Sequence, residues 1–481
     1  MLTIVLMWGW IPFTLLLFMF MRPHRAIIAS FLLAWLFLPQ AAFPLPNLPD
    51  YTKMTATAFG SLLGVLIFDR QARWAAYRPH WVDLPMAVFC ITPFFASVTN
   101  QIGPLFGIWD GLSVTLNALV FWGLPYLIGR IYLCRPEAIK DCAIGLFLSG
   151  LVLLPLVWLE LRISPQLHNM LYGFHPAKFE FAKRGGGYRP VVFMSHGLAL
   201  VLYLGICTIC GLALYRSKSW TRVPRWLIGV GAALLLATTL ACNSAGAAAL
   251  MLFAIMMWLL YDFTGRRAFV IVALGLPVAY LALRTFGDWK GDEMIALAFM
   301  IAGEYRAGSL GVRLHAENLS LSKYYERPFF GWGGWGNWRA RTPWGTFVTA
   351  DSLWMITLGK QGFIGLAGLL GAFVVPLYTL FRRLPAQSPR LPGPGAAVGI
   401  GFGTLIFLYD TLFNAMLNPI IVAMLGALAG LALLLPQLQA ANARKRLASA
   451  ARSAPPGTND QTEPTDQPDP PSPPGAAAPA A

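Results

Sequence analysis

Charge is what this sequence has least of. Of 481 residues only 12% are Asp, Glu, Lys or Arg, whereas 57% are hydrophobic. Soluble chains carry about 25% charged residues, so two or three soluble domains, the expectation from length alone, are excluded. Cysteine and histidine are equally scarce, at six each. Cys90, Cys134, Cys142, Cys207, Cys210 and Cys242 fall in apolar runs or at their edges, which leaves no disulfide framework to expect. The Cys207/Cys210 pair is a CxxC inside an apolar helix and reads as small packing residues rather than a redox or metal motif. No His- or Cys-based metal site is expected.

Long apolar runs are what is present. Stretches of about 15 to 22 residues recur from Leu2 to Leu438, close to the roughly 20 that a helical membrane span needs. They predict an all-α polytopic membrane protein of about 12–13 transmembrane helices. The expected spans are 2–21, 26–38, 54–68, 83–99, 112–133, 142–159, 190–214, 226–241, 245–261, 268–286, 352–380, 396–413 and 419–438. The segment 352–380 is long enough to bend or break between Gly359 and Gly365. No basic residue precedes the first run and no small-residue cleavage site follows it, so it is expected to be a retained span. Residues 1–441 thus form a helical bundle. Residues 442–481, rich in Pro and Ala, are expected to be a disordered cytoplasmic tail.

The net charge of +15 raises nucleic acid as a partner, but its distribution points to the bilayer. Of the 36 Lys and Arg, 21 stand in or beside alternate connections: Arg22/Arg25, Arg70/Arg73/Arg78, Arg130/Arg135/Lys140, Arg216/Lys218/Arg222/Arg225, Arg266/Arg267, Arg382/Arg383/Arg390 and Arg444/Lys445/Arg446/Arg452. Cytoplasmic connections carry such an excess. The N-terminus is then outside, the C-terminus inside, and no nucleic-acid partner is expected.

Two long outer loops remain, 160–189 and 287–351, and loops of this length are usually functional. The first holds Arg162, Lys178, Lys183, Arg184 and Arg189 around three glycines, a pattern that suits either a flexible hairpin or an anion site. In the second, 309–326 reads as an amphipathic helix lying on the membrane surface. "RPFFGWGGWGNW" then breaks it. Trp332, Trp335, Trp338 and Trp344 suit an interfacial belt or a stacking surface for sugar or lipid. Asp351, just before an apolar helix, is either an N-cap or a functional carboxylate. Charges inside spans are few, Lys360 and Asp410 with Arg284 and Arg130 at the margins, which weighs against an ion-coupled transporter.

Five features in order, "GYRPVVFMSHGLAL", "LLLATTLACNSAGAAALMLF", "GSLGVRLHAENLSL", "RPFFGWGGWGN" and "ADSLWMITLGKQGFIGLAGLL", resemble the O-antigen ligase and O-antigen polymerase superfamily of bacterial envelope glycosyltransferases. Together they cover about residues 185 to 375. The sequence departs from the family pattern twice: Asn243-Ser244-Ala245 stands where Ser-Arg is usual, and Asp351-Ser352 where lipid-A-core ligases place His-Asn.

The resemblance implies a GT-C-like outward-facing cavity with a long periplasmic loop in the bacterial inner membrane. It implies an undecaprenyl-diphosphate-linked glycan as donor, a glycan acceptor, and other polysaccharide assembly proteins as further partners. No cofactor or metal is expected, because a lipid diphosphate is already an activated leaving group. Arg313 and Asp351 are the expected catalytic pair, with Arg184, Arg189, His315 and Trp335 as substrate-binding residues and His196 in reserve. Guanidinium suits the diphosphate because it stays charged and meets phosphate oxygens two at a time. The carboxylate would serve the attacking hydroxyl as base or as an orienting group. The absent His-Asn favours a polymerase joining repeat units over a ligase. A flippase or exporter of lipid-linked glycans, or a non-catalytic scaffold, is the reading from another class.

Overall fold

A computed structural model describes residues 1–453 apart from 47, 185, 186 and 417. The chain is almost wholly helical. In order come α1 (Leu2–Phe20), α2 (Pro23–Phe37), α3 (Lys53–Phe68), α4 (Leu84–Thr99), α5 (Ile108–Ala118), α6 (Leu124–Tyr132), α7 (Pro136–Ile163) and the short α8 (Leu167–Tyr172). Then follow α9 (Gly197–Ser217), α10 (Arg225–Ala241), α11 (Ala245–Thr264), α12 (Ala268–Phe286), α13 (Asp292–Ala302), α14 (Glu304–Tyr325), α15 (Leu353–Arg383), α16 (Pro394–Phe413) and α17 (Pro419–Ser453). Sheet is limited, among the described residues, to two antiparallel ribbons: β1 (Ala42–Leu45) with β2 (Leu48–Thr52), and β3 (Lys183–Arg184) with β4 (Gly187–Tyr188).

Ten helices among the described residues are long and apolar enough to cross a membrane, with a π-helical turn over Leu119–Gly123 joining α5 and α6 into one of them. The expected spans 26–38, 54–68 and 226–241 form the shorter apolar helices Pro23–Phe37, Lys53–Phe68 and Arg225–Ala241. A 15-residue helix reaches only about 22 Å, less than the roughly 30 Å of a hydrocarbon core. At the C-terminal end, helix runs past the expected boundary at 441 to Ser453. Residues 454–481 lie outside the described residues. The chain divides into two units, Met1–Leu435 and Pro436–Ala481.

Two helices make the centre of the first unit. Buried along most of their length, α9 and α16 run antiparallel. Their contact follows from Gly395, Gly399 and Gly403, spaced four apart on one face of α16. Beside them lie Ser217, Ala213 and Ile206, and a Cβ at 395 or 399 would collide with the facing helix. In a bilayer, where apolar surface gains nothing from leaving lipid, close backbone approach of this kind replaces the hydrophobic drive.

One end of the bundle gathers the arginine-rich connections. Asp262 accepts from Arg216 Nε at 2.8 Å and from Arg390 Nε at 3.2 Å. Asp141 accepts from Arg25 Nε at 2.8 Å, and Arg267 and Arg383 donate to the carbonyls of Leu384 and Ala432. Residues from the connections after α1, α6, α9, α11 and α15 or beside them therefore meet at the same end.

The opposite end carries both long loops. There the buried Glu160 accepts from the N–H groups of Val191 and Val192, each at 2.7 Å, and of Leu167 at 3.0 Å, which fixes the first loop on the end of α7. Lys53 pins the same loop from the other side. Its Nζ donates to the carbonyls of Trp35 at 3.4 Å and Phe193 at 3.2 Å and lies 4.4 Å from the Trp35 ring. The Trp35 carbonyl needs such a donor because the residue four further on is Pro39, which has no N–H.

α15 is a broken helix, as its length led us to expect. Gly362 has φ +64° and ψ −165°, and the main chain of 328–333 runs alongside to satisfy the interrupted ladder. Phe363 N donates to Pro328 O at 2.7 Å, while Trp332 N and Gly333 N donate to the carbonyls of Gly359 at 2.8 Å and Lys360 at 3.0 Å. The Pro-aromatic-Gly stretch is thus the hydrogen-bonding partner of the break. Broken backbone at membrane depth is tolerated where other protein covers it.

Two consequences are testable. Burial without a carboxylate partner lowers the Lys53 ammonium to about 7, so wild-type stability rises with pH between about 7 and the ordinary lysine value, by up to about 1.4 kcal/mol per unit. Lys53→Met removes that dependence. Thermal melts in detergent should show it gaining on wild type as pH falls from about 10 to about 7 and gaining no further below. At Gly362 a Cβ would strike the Phe329 carbonyl in a backbone region closed to L residues. Gly362→Ala should destabilise by about 1–3 kcal/mol, read as a lower melting temperature.

Candidate functional site

The site begins with α14. Its apolar and small residues Ala307, Leu314, Ser320, Leu321 and Tyr324 recur at helical spacing and are buried. They face the bundle, so the expected surface helix at 309–326 is corrected: α14 packs on α15, and Leu321 and Tyr324 join Leu281, Trp338, Trp354 and Leu358 in one core. Exposed apolar residues of this loop include Leu297, Phe299, Met300 and Ile301 of α13, Tyr305 and Val312 on the outer side of α14, and Phe329 beyond it.

A buried ion pair locks α14 in place. Arg284, at the end of α12, donates to Glu317 Oε2 from Nη2 at 2.9 Å and from Nε at 3.2 Å. Its other contacts are the carbonyls of Trp289 at 2.6 Å and Leu314 at 3.2 Å. Glu317 also accepts from Tyr280 Oη at 3.2 Å and Ser352 Oγ at 3.4 Å. Burial pushes the Glu317 carboxyl above its ordinary value, and the Arg284 guanidinium opposes that. The pair ties α12, α14 and the start of α15 together at a single carboxylate.

Arg313 lies one turn before Glu317 on α14, so the same docking sets its direction. Its Nε stands 3.8 Å from Asp351 Oδ2, with the two side chains 35% and 52% exposed. Consecutive residues 351 and 352 thus meet residues one helical turn apart, 313 and 317. The capping role for Asp351 is not what the structure has: α15 begins at Leu353, its N-cap is Ser352, and the Ser352 hydroxyl is turned to Glu317. An exposed pair at this separation contributes only about 0–1 kcal/mol. The remaining guanidinium face is available to an anion.

The other expected residues separate. Arg189 lies against the α10–α11 turn, with Nη2 3.4 Å from the Asn243 carbonyl and its stem along Gly197, while Asn243 Nδ2 donates to Tyr188 O at 3.4 Å. "GYRP" and "ACNSAG", far apart in sequence, are therefore neighbours. Arg184 lies in β3, and its side chain is outside the described residues, as are Gly185 and Gly186. His315 is exposed on α14. His196 caps α9 through Nδ1, which accepts from Leu198 N at 3.1 Å.

The four tryptophans divide in the same way. Trp338 is buried and Trp332 is half-buried beneath Lys323 and Arg327. Trp335 and Trp344 are exposed, Trp335 at 82%. The Trp335 indole N–H donates to Asp110 Oδ1 at 2.7 Å, and Ser97 Oγ holds the other oxygen at 2.8 Å. That anchor comes from α4 and α5, which the sequence reading had not connected with this loop.

Glu317 was also missed, because a glutamate in an amphipathic helix ordinarily faces water. Its one signal was the arginine at the end of the preceding apolar run. Among the described residues no three His, Cys, Asp or Glu side chains gather as a metal site.

Removing one partner of a buried pair costs about 3–5 kcal/mol, whereas replacing both by apolar groups is often neutral. Glu317→Leu should therefore loosen the 287–351 loop, seen as faster proteolytic cleavage within it, and Arg284→Met/Glu317→Leu should recover most of the protection. No family model matches this chain, and no curated protein matches it significantly.

Proposed function

We propose that this protein is a polymerase-type glycosyltransferase, joining undecaprenyl-diphosphate-linked oligosaccharide units of a surface polysaccharide. The observation that carries the reading is the pairing of Arg313 with Asp351 at the loop end of the bundle. One cation and one carboxylate, both accessible, are what the reaction needs. The acceptor hydroxyl attacks the anomeric carbon while the bond to the diphosphate breaks. Arg313 meets the charge that develops on the leaving diphosphate. Asp351, released as the diphosphate takes over the guanidinium, orients the attacking hydroxyl. Trp335 and His315 extend the surface toward the sugars.

In this reading the loop end faces the periplasm and the basic end the cytoplasm, in the bacterial inner membrane, because arginine-rich connections stay on the cytoplasmic side. The reading expects a GT-C-like outward-facing cavity at the loop end.

The test is glycan chain length, on the lipid carrier and at the cell surface, in a deletion strain complemented with wild type, Arg313→Ala or Asp351→Asn. Wild type should restore long polymer, and both variants should stop at single units. Long chains stranded on the carrier in the deletion strain would instead mark a ligase. Restoration of polymer by both variants would remove the assigned site.

A further inference from the structure

One ionisable group deep in an apolar run has no part in this account. Asp410 is buried near the end of α16. Asn414 Nδ2 donates to its Oδ1 at 2.8 Å. The segment after α16 lies directly against the start of α15: Leu353 N donates to Asn414 O at 3.0 Å, and Trp354 Nε1 to Leu412 O at 3.1 Å. The end of α16 that carries Asp410 thus packs against the start of α15, two residues after Asp351.

A cavity of about 20 Å³ opens there, with Asp410, Thr411, Asn414 and Asn418 among lining residues that are otherwise mostly apolar. Asn418 is buried, and its Oδ1 accepts from Ile420 N at 3.0 Å. Its Nδ2 lies buried with no partner. A cation would meet the amide hydrogens of Asn418, and an anion would meet Asp410. Water can do both tasks, accepting from the amide and donating to the carboxylate. A site for one water needs roughly 10–15 Å³ and two to four polar partners, and this cavity provides both.

We propose that Asp410 is a second carboxylate of the loop-end site, holding with Asn418 a single water through which it takes up the proton released by the attacking hydroxyl. The role in the reaction rests on the glycosyl-transfer reading; the water site does not. In the balanced step the acceptor oxygen bonds the anomeric carbon, and the electron pair of the broken bond leaves on the diphosphate facing Arg313. The hydroxyl proton passes to the water, which gives one of its own to Asp410. Asp351 then has the orienting part and Asp410 the accepting part.

The test uses the full-length protein in nanodiscs, with lipid-linked oligosaccharide purified from the deletion strain as donor. Asp410→Asn keeps the oxygen that Asn414 bonds, and should lower kcat by about 10²–10⁴-fold with KM for the donor and the melting temperature unchanged. Asn418→Leu leaves Asp410 in place but removes the anchor of the water, and should lower kcat by about tenfold. Wild-type kcat in Asp410→Asn, with Arg313→Ala inactive, would overturn the proposal and leave the glycosyl-transfer reading intact. A wild type unable to extend the donor would overturn both. A high-resolution map with no density between Asp410 and Asn418 would overturn the water site and the proton route through it, and leave the glycosyl-transfer reading intact.

Discussion

A fully buried guanidinium facing a single buried carboxylate sets the geometry of the loop end. Arg284 and Glu317 can be desolvated only because each finds its partners: the guanidinium has Glu317 and two carbonyls, and the carboxylate has Arg284, Tyr280 and Ser352. Such a pair is weak evidence for added stability, since two ions have left water to make it. Its effect is on register. With Glu317 held, α14 can neither rotate nor slide, and Arg313 one turn away must face the chain at Asp351. Reagents for a reaction placed on an untethered 65-residue loop would lose the effective concentration that fixed orientation provides.

The same logic recurs at three places where this protein leaves regular helix at the loop end. Each departure exposes backbone groups that water cannot reach at membrane depth, and each is met by a named partner. The break at Gly362 is bonded by 328–333. Three N–H groups of the first loop converge on Glu160, and the Trp35 carbonyl orphaned by Pro39 takes Lys53. Hydrogen bonds to the ends of the helices they connect thus position the loops alongside their apolar packing. Of the few charges the sequence places inside spans or at their margins, Arg284 serves this fastening.

Several elements were readable in advance for reasons that are local. The apolar runs, the alternate basic connections and the likelihood of a break in 352–380 depend on composition and on glycine within single segments. Asp351 and Arg313 were chosen for their chemistry and are found together; the cap alternative fails because Ser352, one residue on, begins α15. The surface helix at 309–326 was misread because amphipathicity shows that one face is covered without saying by what. In α14 the cover is α13, α15 and the end of α12.

By itself the sequence determined a multi-span helical protein with one basic end and two long loops, because hydropathy and charge act over single segments and need no partner. Only the tertiary structure decided which carboxylate sits with which cation. Glu317, Asp351 and Asp410 are each an acid near an apolar run, and nothing local tells the anchor from the accessible group or from the one beside the cavity. The difference lies in how α12, α14, α15 and α16 meet. That is settled by burial and hydrogen-bond satisfaction between residues from 33 to 58 positions apart.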